Sequence, residues 1–336
     1  MQKRYQVVGI GNAIVDVLTR SDDGFLTHMG IQKGIMQLVE KDRAETLYEA
    51  MTNRLEAPGG SVANTLAGIG NLGLKTGFIG RVRDDALGRF YADTMAADGT
   101  DFVNAPVGDG DLPTSRSMIF VSPDGERSMN TYLGISAELG PEDVAEDVAA
   151  EAEIVFLEGY LFDKDKGKDA FVRTARLCRA AGGKAGIAIS DPFCVDRHRA
   201  DFLQLIEHEL DYVIGNEAEI RSLFQQEDLD ADLKRVAQIC DLVVCTRSGD
   251  GVTIMYKGAR TDVSVTKVVP VDATGAGDQF AAGFLYGLAT GRDMETCGKM
   301  GCIAAGEVIA HMGPRPEKPL LPLFESAALF KGGDHA

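Results

Sequence analysis

No apolar run in the chain approaches the roughly 18 residues that a membrane-spanning helix needs, which excludes a transmembrane helix. The opening residues, Met1 to Gln6, lead into a short apolar stretch ending at Gly9, without the long apolar region of a secretory signal. Basic residues are scarce: 34 Lys and Arg stand against 51 Asp and Glu, a formal net charge of −17. That balance argues against a nucleic-acid partner, which selects a basic footprint, and against adhesion to anionic membranes. The acidity reads as solubility, and it leaves room for a phosphorylated ligand held locally by backbone N–H groups. The cysteines at 178, 194, 240, 245, 297 and 302 form no CxxC pair and sit beside no His at zinc-ligand spacing. They read as buried thiols in a reducing, cytoplasmic setting. Walker A spacing, internal repeats, low-complexity tracts and long linkers are also missing.

What is present is ordinary globular composition, 45% hydrophobic and 25% charged, over 336 residues. That length suits one large domain or two smaller ones, with a core that needs neither disulfide nor metal. Short β-rich runs at 5–10, 76–80, 117–122, 154–158, 186–190, 212–215 and 242–246 alternate with helical stretches. The helices are expected at 41–55, 62–72, 86–97, 165–181, 218–225, 233–239 and 276–289. Alternation of this kind predicts βαβ units, a mostly parallel sheet with right-handed crossovers, and ligands beyond the carboxyl ends of the strands. Polar, turn-rich residues at about 14–40 and 110–136 interrupt the pattern and predict a small β lid.

One tempting motif is discounted. Gly68, Gly70 and Gly73 match GxGxxG, but they follow a helical stretch rather than a strand, so they read as a helix end and turn. The informative segment is Val271-Asp272-Ala273-Thr274-Gly275-Ala276-Gly277-Asp278, followed by an apolar helical stripe at Phe280, Phe284, Leu285 and Leu288. Small residues let the backbone turn approach a ligand, and the N–H groups opening a helix make an anion site. Asp278 then lies in the first helical turn. It either complements the helix dipole or accepts a proton from a substrate hydroxyl beside a phosphate cradle. On the motif alone the two readings stand level.

This segment resembles the C-terminal signature of the PfkB, or ribokinase-like, carbohydrate kinases, with Ala273 in place of the usual Thr or Pro. Three other stretches resemble the family in the same order. Gly59-Gly60-Ser61-Val62-Ala63-Asn64 is similar to its Gly-Gly loop, and Gly80 to Gly88 to its G-x-V-G-x-D-x-x-G stretch, with Arg83 replacing a Gly. Asn216 and Glu219 match its N-x-x-E motif. The likeness spans about residues 5–325 and implies a three-layer α/β/α core with a mostly parallel central sheet and a small β lid. The core would comprise 1–13, 59–109 and 137–330, and the lid 14–58 and 110–136.

Within the family, Asn12 and Asp16, four apart after the first strand, have the adenosine-kinase spacing. Gly-Gly-Ser, the Glu126-Arg127-Ser128 segment, Asp191-Pro192-Phe193 and the run from Gly313 to Pro319 resemble the same branch. The resemblance implies ATP-dependent phosphorylation of a purine nucleoside, adenosine foremost, at its 5′-hydroxyl, as in purine salvage. Asp16 would hold the ribose diol, since a carboxylate accepts two hydrogen bonds at once. Asn12, Gly59, Gly60, Ser61 and Asn64 would help it, with Met36, Leu38 and Tyr160 around the base. Asp278 would take the proton, the N–H groups of Gly275, Ala276 and Gly277 would stabilise the phosphoryl oxygens, and Arg127 would add a cation. Asn216, Glu219, Thr246, Gly249 and Thr274 would attend ATP, with Mg²⁺ near Glu219 through water. A monovalent cation such as K⁺ would lie near Asp272 and Thr274. The rivals are a family sugar kinase acting on ribose, fructose or 2-keto-3-deoxygluconate, and a purine-binding protein without catalysis. A homodimer through the lid and a solvent-capped lid remain equally open.

Overall fold

The structure, a computed structural model, describes residues 3–330 apart from the side chain of Asp163. Met1 and Gln2, at the head of the expected core, lie outside the described residues. Among the described residues, fourteen strands follow in chain order. They are β1 Tyr5–Ile10, β2 Ile14–Arg20, β3 Met36–Leu38, β4 Leu55–Gly59, β5 Thr76–Ile79, β6 Thr100–Phe102 and β7 Ser115–Val121. After them come β8 Arg127–Tyr132, β9 Ala152–Glu158, β10 Lys184–Ala188, β11 Tyr212–Asn216, β12 Leu242–Thr246, β13 Val252–Tyr256 and β14 Ala259–Val263.

Nine strands form one sheet in the order β14-β13-β12-β11-β10-β9-β1-β5-β6. From β12 to β6 every pairing is parallel, and β13 and β14 close the far edge as an antiparallel hairpin. The parallel strands are apolar on both faces because helices cover both. Along β9, Ile154 and Phe156 enter one core while Val155 and Leu157 enter the other. The first core lies under the helices Ser61–Asn71 and Ala276–Ala289, the second under Asp165–Ala180, Glu217–Phe224 and Leu229–Ile239. This is the three-layer α/β/α architecture of the ribokinase-like fold.

A second sheet, ordered β3-β8-β7-β2-β4, stands over the carboxyl edge of the first. The helix beginning at Lys41 ends at Ala50, short of the Leu55 predicted from its periodicity. Asn53 turns the chain with φ 49°, and Leu55 already belongs to β4. Gly68 and Gly70 lie in the last turns of the helix Ser61–Asn71 and Gly73 follows it with φ 86°, so GxGxxG here ends a helix. The unexpected α-helices are Asp23–His28, Glu146–Ala150, Pro192–Glu209, kinked at His198, Met294–Val308 and Leu320–Ser326. All six cysteines are buried and none forms a disulfide. Among the described residues, no helix is long and apolar enough to cross a membrane.

Candidate active site

At the carboxyl end of β1 the chain turns through Asn12 into β2, an inner strand of the second sheet. That turn places Asn12 and Asp16 on one wall of a cavity of about 680 Å³. Beside them, two helices bring their N-termini to the same cavity, Ser61–Asn71 and Ala276–Ala289. Gly60 opens the first with φ 98°, and Gly275 opens the second in the left-handed region with φ 79°.

Asp278 lies in the first turn of the second helix, as its spacing predicts. Its Oδ1 accepts a hydrogen bond from Ser61 Oγ at 2.6 Å and its Oδ2 accepts one from Asn64 Nδ2 at 3.1 Å. Burial pushes its carboxyl up to about 6, against those two bonds and the positive charge of Arg315. Among the described residues, the N–H groups of Gly275, Gly277 and Asp278 have no hydrogen-bond partner, whereas Ala276 N–H bonds Ala273 O at 3.2 Å. Gly275 and Gly277 line the cavity; Ala276 does not. A Cβ on Gly277 would meet no atom within 4 Å, so space is open above the helix end.

Asp16 lines the same cavity, and its carboxylate has no hydrogen-bond partner among the described residues. Burial raises it to about 7, with Arg127 and Arg315 opposing and Asp278 adding. Gly59 lies against it: a Cβ there would fall 2.6 Å from the carboxylate. Asn12 also lines the cavity, but its side chain is committed inward. It donates to Glu158 Oε1 at 2.7 Å and accepts from Ser136 Oγ at 2.8 Å. Gly60, Ser61, Asn64, Met36, Leu38 and Tyr160 all line the cavity. Met36, Leu38 and Tyr160 are each more than a third exposed, so they form its open mouth.

At the other end stand Asn216, Glu219, Thr246 and Thr274. Asn216 and Glu219 cap the helix Glu217–Phe224 reciprocally, Asn216 Oδ1 accepting from Glu219 N–H and Glu219 Oε2 from Asn216 N–H, both at 2.9 Å. Burial raises Glu219 to about 7. Gly249 sits on an exposed turn outside the lining.

Two expected residues pair with each other instead of facing the cavity. Arg127 Nη2 lies 2.7 Å from Asp272 Oδ2, and neither residue lines the cavity. Asp272 also accepts from Gly313 N–H at 2.9 Å and Thr274 Oγ1 at 2.7 Å. Burial works to raise its carboxyl, yet these bonds and Arg127 hold it below the ordinary value. Among the described residues, no group of three or more His, Cys, Asp or Glu could hold a metal ion.

The sequence reading missed Glu158 and Arg315. Glu158 ends β9 and is 1% exposed; it accepts from Asn12 N–H at 2.8 Å and Val62 N–H at 3.2 Å as well as from the Asn12 amide. It thereby ties the Asn12 turn to the first helix, and an acid closing the apolar run 154–157 was its signal. Arg315 donates from Nε to Asn64 Oδ1 at 3.3 Å. Arg83, the departure in the second motif, is 9% exposed and donates from Nε to Leu112 O at 2.7 Å. It pins the chain entering β7 and touches no ligand space.

The pfkB family carbohydrate kinase model matches residues 34–320. The chain belongs to the PfkB family. Two solved structures are each 45% identical to it. A probable sugar kinase from Rhizobium etli aligns with TM-score 0.89 over 98% of this chain and 100% of that one. An adenosine kinase from Sinorhizobium meliloti aligns with TM-score 0.88 over 96% and 99%. A 5-dehydro-2-deoxygluconokinase from Bacillus licheniformis is 29% identical over 337 residues, 96% of each chain. As a PfkB kinase the protein is a phosphotransferase with an alcohol acceptor, using ATP on a small sugar or nucleoside.

Proposed function

We propose that this PfkB kinase phosphorylates the 5′-hydroxyl of a purine nucleoside, with adenosine the preferred acceptor. Asp16 carries the reading: a carboxylate unpartnered among the described residues faces the cavity beneath an apolar wall. A vicinal diol supplies the two donors it lacks. Ile14, Met36, Leu38, Met129 and Leu133, with the rings of Tyr160 and Phe193, suit a flat base. The 45% identity to an adenosine kinase over nearly the whole chain accords with that substrate, as the equal identity to a probable sugar kinase accords with the second reading below.

Asp278 orients the 5′-hydroxyl and receives its proton as the 5′-oxygen bonds to the γ-phosphorus. The bond from that phosphorus to the β,γ-bridging oxygen breaks, and ADP leaves. A carboxyl near 6 remains largely ionised at neutral pH, yet is a stronger base than an ordinary Asp. The Gly275 and Gly277 N–H groups face the phosphoryl oxygens. Mg²⁺ arriving with ATP would neutralise phosphate charge, and Glu219, whose buried carboxylate lines the cavity beside Asn216, would meet it through water.

A sugar-acid kinase is the second reading, favoured by the 5-dehydro-2-deoxygluconokinase relative and by Arg197 in the lining. Five carboxylates in the same lining, Asp16, Glu158, Asp191, Glu219 and Asp278, would repel a substrate carboxylate. The test is ADP release with ATP and Mg²⁺ against adenosine, inosine, guanosine, ribose, fructose and 5-dehydro-2-deoxygluconate. We expect adenosine to exceed the free sugars in kcat/KM by about a hundredfold or more. Asp278→Asn should lower turnover about a thousandfold. Faster turnover of a free sugar or the sugar acid overturns the nucleoside assignment.

A further inference from the structure

We propose that Arg315 is a positioning residue for Asp278: its guanidinium dictates which end of the Asn64 amide faces the carboxylate and places a fixed positive charge behind it. The inference rests on the reading of Asp278 as proton acceptor. Arg315 lies on the strap that follows Gly313, 251 positions from Asn64, and its side chain is 19% exposed. It pairs with Asp98 through Nη1, rests Nη2 on Met95 Sδ at 3.9 Å and donates from Nε to Asn64 Oδ1. A guanidinium has donors only, so the amide oxygen must face it. The amide NH₂ is then left for Asp278 Oδ2, where it is found. Without Arg315 the amide can turn over and set its oxygen against the carboxylate. The strap is held in register from the other side, since Gln279 Nε2 donates both to Asn64 O at 2.9 Å and to Pro314 O at 3.0 Å.

Arg315 does not line the large cavity. It walls a second one of about 340 Å³ with Asn71 and Asp98. It therefore touches no substrate space, and its influence on the reaction passes through Asn64 and through its charge. The charged and titratable groups that share the field of Asp278 are Arg315 from the strap, Asp16 from β2, Glu158 from β9 and Tyr160 beyond it. Arg315 is the cation among them, and its effect is to lower the Asp278 carboxyl.

The experiment follows the Asp278 carboxyl carbon by NMR in the intact protein labelled at Asp, the signal being assigned by its loss in Asp278→Asn. In Arg315→Met the titration midpoint should rise by about one pH unit. Arg315→Lys, which keeps the charge, should stay within about 0.3 unit of the parent. In ADP release with adenosine, Arg315→Met should lose about tenfold or more in kcat at pH 6.5, recover part of it above pH 8, and leave the KM for ATP within about threefold. If the Met variant fails to fold, Arg315→Gln, a neutral donor, should show the same rise in midpoint with a smaller loss of kcat. A midpoint unmoved in the folded neutral variant overturns the proposal. Normal turnover by Asp278→Asn overturns instead the role given to Asp278, whatever the midpoints do.

Discussion

An unpartnered carboxylate inside a protein is costly unless something completes it, and Asp16 is such a group. Burial raises it to about 7, so it is partly protonated at neutral pH. Only the ionised form accepts two hydroxyl hydrogen bonds. Nucleoside binding should therefore tighten several-fold between pH 6 and pH 8, read by calorimetry with adenosine. Asp16→Ala should weaken adenosine binding about a hundredfold or more and flatten that pH dependence, while ATP affinity stays within about threefold. Equal losses for both ligands would remove Asp16 from the diol site. Asp16 and Asp278 were legible in the sequence because each sits at a fixed offset from a glycine-marked turn. Glu158 and Arg315 were not, since their partners come from other segments: Val62 lies 96 positions before Glu158, and Asn64 lies 251 before Arg315.

Two helix N-termini frame the end of the cavity proposed to hold the phosphoryl group, and the glycines that open the second one have different tasks. Gly275 must be glycine for the backbone: its φ is 79°, and a Cβ would lie 2.5 Å from Pro314 Cα. Gly277 has ordinary backbone and open space around it. Gly275→Ala should cost about 2 kcal/mol or more of stability in denaturant unfolding, besides its loss of activity. Gly277→Ala should unfold like the parent yet lose about tenfold or more in kcat/KM for ATP, because its methyl would stand where phosphate oxygens approach. A stable and fully active Gly277→Ala would mean that this helix end is not the phosphate cradle. The helix Ala276–Ala289 was readable to its ends because a glycine turn precedes an unbroken apolar stripe. Its neighbour Met294–Val308 was not. There Gly301 allows the two helices to approach so closely that a Cβ would meet the Phe280 ring at 2.7 Å, and close packing outweighs glycine's poor helix propensity. The hairpin β13–β14 was missed for a similar reason: its turn rests on Lys257 and Gly258, both at positive φ, and Lys rarely signals such a turn.

At the scale of the whole molecule, the site concentrates negative charge in a protein that is already acidic. Asp16, Glu158 and Glu219 are raised to about 7 and Asp278 to about 6, in each case chiefly by burial. A carboxyl raised in the folded state binds its proton more tightly there than in the unfolded chain. Its contribution to stability is complete below pH 4 and is lost as pH rises through the folded value. His311 acts in the same direction: burial lowers it, but Glu307 and Glu317 hold it above its usual value, and that gain also fades as pH rises. Carboxyls lowered by partners, such as Asp262 and Asp272, lose their contribution only near pH 4 and below. Between pH 5.5 and pH 8 the raised groups therefore set the trend. The ligand-free kinase should melt about 5 °C higher at pH 5.5 than at pH 8, by calorimetry at constant ionic strength. General charge repulsion from a net −17 has the same sign, so the variant Asp16→Asn separates the two. Removing one site carboxylate should raise the melting temperature at pH 8 and leave it nearly unchanged at pH 5.5, even as nucleoside binding is lost. An Asp16→Asn protein less stable than the parent at pH 8 would show that the carboxylate is not strained by its burial. That outcome would also count against the diol-binding role proposed for Asp16.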